Sequence, residues 1–461
     1  MDRTRDVLAT IDSDADRFLA ELKEFLRIPS ISTDPAYRDD VRRAANFVAD
    51  QLRAAGLTAE LIETSGHPLV YGEWLGAPGK PTVLFYGHYD VQPVDPIELW
   101  RNPPFEPVEE NGYLVCRGAT DDKGQAFTHI KAVAAMLATR GTLPVNVKFL
   151  VEGEEECGGQ GIESFVRADG GQRLAADAVV VSDTSLYAPG QPSLLYGLKG
   201  LVYLEMKVTG PNRDLHSGQF GGGVTNPLNA LCHIIDRLRD SKTGRVLIPG
   251  FYDDVVPLAD WERAEFAALP FDEAAHCQSL GISETFGEEG YTYQERVWGR
   301  PTCDVNGIFG GYEGKGAKTV IASWGGAKVS MRLVPDQKPE TIARLFTEYV
   351  QSIAPPGVTV TVEDLHGAPP TVIDVSGPIA DAAMDSLEAV FGRRPVRVRE
   401  GGSIPIVSTF AQVLRSPVLL MGFGLPDDGL HSPNERFLIR NFFDGIRTVA
   451  VFLDRLGSVA T

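Results

Sequence analysis

The chain of 461 residues is expected to fold as an α/β protein with a mixed, largely parallel sheet, interrupted by an inserted α+β segment, and three observations carry that expectation. Four apolar runs, Thr82 to Tyr86, Asn146 to Val151, Ala178 to Val181 and Val418 to Met421, read as strands buried on both faces. Amphipathic helical patterns separate them. From Leu201 to about Pro369 the pattern changes to alternating strands and helices in the order βαββαβ, a ferredoxin-like split βαβ. Each apolar run also leads into side chains that bind metals: His88 and Asp90, Glu155 and Glu156, Ser182 and Asp183, and, after a Gly/Pro/Asp loop, His431. In an open α/β sheet the functional crevice lies outside the carboxyl ends of the strands, so these residues are expected to converge.

Taken in order, the first helix spans Asp14 to Leu26, with Phe18, Leu19, Leu22, Phe25 and Leu26 on one face, and stops before Pro29. A second carries Val41, Ala44, Phe47, Val48 and Leu52 and ends at Gly56. After the first strand, glycines flank the acids of Arg117-Gly118-Ala119-Thr120-Asp121-Asp122-Lys123-Gly124, a turn able to aim a carboxylate inward. A helix with Phe127, Ile130, Val133, Met136 and Leu137 follows it. The inserted segment comprises a strand from Leu201 to Val208, a helix with Leu228, Leu231, Ile234, Ile235 and Leu238, and strands near Val305 and Val329 to Leu333. A helix with Ile342, Leu345, Phe346 and Val350 and a strand from Val358 to Val362 complete it. Residues 241 to 300 interrupt this order without a readable arrangement. A last helix with Ile379, Ala383, Leu387 and Val390 returns the chain to the first domain, so the expected division is 1–200 with 370–461 around 201–369. No internal repeat or low-complexity tract is present.

Forty-three basic residues against sixty-two acidic ones give a formal charge of −19, which argues against nucleic acid or an anionic membrane as partner. The N-terminal residues lack a charged-then-apolar signal pattern, and no apolar run approaches the ~20 residues of a membrane span. The five cysteines are scattered, without metal-type pairing, and read as reduced thiols. The expectation is a soluble cytoplasmic enzyme.

His88, His431, Asp121, Glu156 and Asp183 form a nitrogen and oxygen donor set that suits zinc, with manganese or cobalt as alternatives. Five ligands exceed what one zinc uses, and two ions sharing one carboxylate is the economical arrangement. A lone acid after a strand is more often a helix cap or a solvated loop residue; five in this order are not independent accidents. His67, His129, His233, His276 and His366 lack such company and are read as packed or solvated.

The motifs Gly87-His88-Tyr89-Asp90, Gly118 to Gly124, Glu152-Gly153-Glu154-Glu155-Glu156, Ser182-Asp183 and His431-Ser432-Pro433-Asn434-Glu435 resemble those of the dinuclear metallopeptidases that include carnosinases and cytosolic nonspecific dipeptidases. Glutamate carboxypeptidase, aminoacylase and succinyl-diaminopimelate desuccinylase are cousins of that family. The resemblance spans nearly the whole chain. It implies a phosphorylase/hydrolase-like catalytic domain and an inserted lid or dimerisation domain. His88 and His431 would each bind one of two divalent metal ions, Asp121 would bridge them, Glu156 and Asp183 would complete the shells, and Asp90 would orient His88. Glu155 would be the general base, with Glu154 a neighbour, and Lys123 would assist the turn.

In the inserted domain the resemblance makes His216, in Asp214-Leu215-His216-Ser217-Gly218, the residue that stabilises the oxyanion in the partner subunit of a homodimer. Arg332 would hold a substrate carboxylate, Asn226 would touch the substrate, and the loop with Gly402 and Ser403 would contact its C-terminal side. A capping His, an N-cap Asn and a surface Arg are the plain alternatives. The implied activity is hydrolysis of dipeptides with a free carboxylate. An N-acyl amino acid deacylase or small carboxypeptidase is the second reading, and a noncatalytic binding protein, which would have no need of Glu155, is the third.

Overall fold

A computed structural model describes residues 4–168 and 171–459. The chain divides into one unit of Met1–Tyr196, Ile373–Val398 and Pro405–Thr461 and a second of Gly197–Val372 and Arg399–Ile404. The short segment Arg399–Ile404, which the sequence division leaves with the flanking domain, joins the inserted unit. The amide of Lys199 donates to the carbonyl of Gly402 at 3.1 Å, Arg332 Nη1 donates to Ser403 Oγ at 3.0 Å, and Arg399 pairs with Glu262.

In the first unit the sheet order runs Thr58–Ile62, Leu69–Trp74, Asn146–Glu152, Thr82–His88, Ala178–Val181, Val418–Leu420 and Ser193–Leu198. Thr82–His88 is parallel to both its neighbours, and Ala178–Val181 is parallel to Val418–Leu420. The outer pairings are antiparallel. The central strands are buried along nearly their whole length, as continuous apolar runs require when helices cover both faces. Helices Ala15–Leu26, Arg38–Ala54, Lys123–Arg140 and Ile439–Leu456 pack Phe25, Val48, Phe127, Val133, Phe442 and Ile446 into one core with Phe85 and Phe149 from the sheet. A helix at Arg5–Ser13, not predicted, buries only Val7 and Ile11, too few apolar positions to announce itself as periodicity.

The register sets up the site. His88 pairs with Glu152 and Tyr86 with Val181, so Asp183, two residues past Val181, comes level with His88. Strand Thr82–His88 runs on past Tyr86 through His88, which Gly87 allows: a Cβ there would lie 2.6 Å from that of Ala126.

The second unit is a four-stranded antiparallel sheet in the order Asp304–Gly310, Trp324–Leu333, Gly200–Thr209 and Thr359–Ala368. Helices Pro227–Asp236 and Pro339–Ser352 cover it with Leu231, Ile234, Phe346 and Val350. The chain order of these elements is the expected βαββαβ. Residues 241–300, unreadable in the sequence, hold three short helices, Asp260–Ala268, Glu273–Leu280 and Tyr293–Gly299. Among the described residues no helix is long and apolar enough to cross a membrane.

Candidate metal centre

Two donor sets lie at the carboxyl ends of the central strands, His88 with Asp121 and Asp183, and Asp121 with Glu156 and His431, the ligand atoms of each within 4.8 Å of one another. Asp121 belongs to both. Its Oδ1 lies 3.1 Å from His88 Nε2 and its Oδ2 3.0 Å from His431 Nε2. Asp183 Oδ2 is 3.8 Å from His88 Nε2, and Glu156 Oε2 is 3.3 Å from His431 Nε2. One carboxylate thus turns an oxygen to each imidazole and is common to both donor sets.

The surroundings fix these groups. His88 is fully buried, its amide donating to Asp122 Oδ2 at 3.1 Å and its Nδ1 lying 3.3 Å from Asp90 Oδ1. The other Asp90 oxygen accepts from the amide of Glu156 at 3.1 Å, so one buried carboxylate orients a residue of each set. His431 sits in a loop at φ +58° with its side chain 57% exposed.

Among the described residues, Asp121, Glu155, Glu156 and Asp183 lie close to the imidazoles of His88 and His431. Burial pushes Asp121 up, but hydrogen bonds to His431 and His88 outweigh it and hold the carboxyl below the usual range. Glu155 moves the other way: burial raises it, Asp183, Glu156 and Asp121 add to the rise, and His88 opposes it without prevailing. An excess of carboxylates with imidazole nitrogens and no thiolate fits divalent ions of the zinc, manganese and cobalt kind.

The predicted residues of the second unit fall into two groups. Arg332 and Ser403 meet, the guanidinium donating to the hydroxyl at 3.0 Å, and Gly402 is adjacent, its carbonyl accepting from Lys199. Strand Trp324–Leu333 buries Met331 and Leu333, which turns Arg332 to the opposite face. His216 is exposed, and its Nδ1 accepts from the Gly218 amide at 3.0 Å. Asn226 caps its helix through Oδ1 and the Leu228 amide, 2.9 Å apart.

Sequence reasoning passed over Gln92. Its Nε2 donates to Glu156 Oε2 at 2.7 Å, the oxygen that faces His431. Its place four residues after His88 was the available signal.

Residues 84–455 match the profile described as Peptidase family M20/M25/M40. The chain is 35% identical over 466 residues to the Cys-Gly metallodipeptidase of Schizosaccharomyces pombe, covering 98% of each. Among solved structures it resembles human carnosine dipeptidase 1, with a TM-score of 0.88, 31% identity and 98% of both chains covered. It also resembles an M20 family metallo-carboxypeptidase from Sulfolobus solfataricus, with a TM-score of 0.85, 33% identity, and 96% of this chain and 99% of that one covered.

Proposed function

The chain belongs to peptidase family M20/M25/M40, and we propose that it is a dipeptidase working with two divalent ions, zinc ahead of manganese or cobalt. The observation that carries the metal dependence is Asp121, with one oxygen directed to each of two imidazoles. His88, Asp121 and Asp183 would hold one ion and Asp121, Glu156 and His431 the other. When bound, such ions supply Lewis-acid polarisation and acidify water.

The chain's own residues do the rest. Glu155 stands beside both donor sets without belonging to either, its carboxyl raised chiefly by burial, and it is the carboxylate left to act as a base. It takes the proton of the water that attacks the scissile carbonyl and passes it to the leaving amine. Arg332, held by Ser403, presents a forked donor to the free carboxylate of the substrate. His216, its Nδ1 already engaged by the Gly218 amide, has Nε2 left to stabilise the oxyanion, and in this reading it serves the partner subunit of a homodimer. Asn226 serves the substrate as well as capping its helix. The protein acts in the cytoplasm. Likeness to the Cys-Gly dipeptidase and to carnosine dipeptidase supports dipeptides as the substrate class; likeness to the Sulfolobus enzyme keeps small carboxypeptidase activity as the second reading.

The deciding experiment assays the metal-loaded protein on free dipeptides, dipeptide amides, N-acyl amino acids and longer peptides. Free dipeptides should be cleaved fastest. Loss of a charged anchor costs ~2 to 5 kcal/mol, so amides should be far poorer substrates and Arg332→Ala should erase most of the difference. Faster cleavage of longer peptides would favour the carboxypeptidase, and faster cleavage of N-acyl amino acids a deacylase.

A further inference from the structure

Glu435 closes the motif that begins with His431, yet it belongs to neither donor set. It is fully buried. It immediately precedes strand Arg436–Leu438, which pairs antiparallel with Tyr113–Val115, Arg436 opposite Val115. That register brings Glu435 against Cys116, whose amide donates to its carbonyl at 2.9 Å. From there the side chain enters the turn that carries Asp121.

Inside the turn every acceptor is used. Oε1 accepts from the amides of Thr120 at 2.9 Å and Asp121 at 3.0 Å, and Oε2 accepts from the amide of Gly118 and from Arg117 Nη1, each at 2.9 Å. Two oxygens with about four acceptor positions meet four donors, which only an ionised carboxylate satisfies. Gly118 sits at φ +80°, where a Cβ would come 2.7 Å from Val91, so the turn follows a path of its own and depends on this side chain for its buried amides. A glutamine of the same shape would set its NH₂ against two donors, whichever way it faced.

We propose that Glu435 is the positioning residue for both metal sites at once, acting through the main chain of Asp121. It fixes the amide of the carboxylate that the two donor sets share, and it lies four residues from His431, tying the loop of the second imidazole to the turn. Arg117, whose Nη2 also donates to the carbonyl of Pro93 at 2.9 Å, pairs with the buried carboxylate and holds it in place. The inference rests on the metal-dependent reading above. It implies that loosening Glu435 weakens two ions together, whereas removing His431, a member of one set only, weakens one.

The test titrates zinc and cobalt into wild-type, Glu435→Gln and His431→Ala proteins against a chelating dye, well below the melting temperature of each metal-free variant, and records the absorption of the cobalt forms. Wild-type protein should bind two ions; fewer would overturn the metal reading itself. With two bound, Glu435→Gln should weaken both ions by roughly 10- to 100-fold, the usual cost of losing a group that orients ligands, and shift the cobalt bands. His431→Ala should lose one. Wild-type affinities with an unchanged cobalt spectrum in Glu435→Gln, or loss of a single ion, would overturn the inference. If that variant does not fold, Arg117→Met loosens the same carboxylate from the first residue of the turn, leaving the three amides in place, and should lower both affinities in the same direction; unchanged affinities there overturn it equally.

Discussion

Glu155 and Glu156 are neighbours in sequence, and their surroundings separate them. Glu156 has its amide held by Asp90, its Oε2 fixed by Gln92 at 2.7 Å, and His431 3.3 Å away. Those contacts place it in a donor set. Glu155 lies outside both donor sets and is raised chiefly by burial. Replacing it by Gln should lower kcat by roughly 10²- to 10⁴-fold, the size of general-base catalysis, while bound metal stays near wild-type content. Kinetics and metal analysis of one preparation check this, and loss of an ion would mean that the two glutamates have exchanged roles. The run of three acids from Glu154 to Glu156 is ambiguous as a string. Resemblance to the family's spacing singled out one ligand, and the geometry places that same residue, Glu156, in a donor set. Gln92 and Glu435 went unassigned because their work is done through hydrogen bonds between segments far apart in sequence, which leave no periodicity.

At the scale of elements, the helix Lys123–Arg140 is buried along most of its length and carries His129 into the core, where its Nε2 meets Ser182 Oγ at 2.7 Å and its ring lies 4.7 Å from that of Phe85. Burial pushes this imidazole down to about 3 from 6.5. The sign follows: below about pH 6.5 the unfolded chain takes up a proton that the folded one refuses. The stabilisation is complete above that pH and drains away as pH falls towards 3, at about 1.4 kcal/mol per unit. His129→Gln, which does not titrate, should flatten the dependence of unfolding free energy on pH between 6.5 and 4.5 in denaturant titrations; an unchanged slope would remove His129 as its source. The same helix shows what was legible. Its apolar spacing and the doubly buried strands beside it declare themselves because each is a long repeated pattern against one core. The small sheet of Arg436–Leu438, Tyr113–Val115 and Val108–Glu110 did not, since strands of three residues have no period to read. That sheet nevertheless delivers Glu435 to the turn.

Across the whole molecule, the chain assigns the proposed chemistry to two units. The metal donors and Glu155 belong to the first, and His216, Asn226, Arg332 and Ser403 to the second. If His216 serves a partner subunit, as proposed, each site in a homodimer draws its base from one chain and its oxyanion donor from the other, and two-fold symmetry makes the exchange reciprocal. Glu155→Gln chains and His216→Ala chains should then each be inactive as homodimers. After subunit exchange, a heterodimer has one site with both groups intact and one with neither. Random pairing makes half the dimers mixed, so a one-to-one mixture should recover about a quarter of wild-type activity. Recovery should follow the rate at which mixed dimers form, measured by native mass spectrometry. Mixed dimers that form and stay inactive would place His216 in the service of its own chain, or leave it as the cap of the short helix Ser217–Phe220 that its hydrogen bond to Gly218 already makes it.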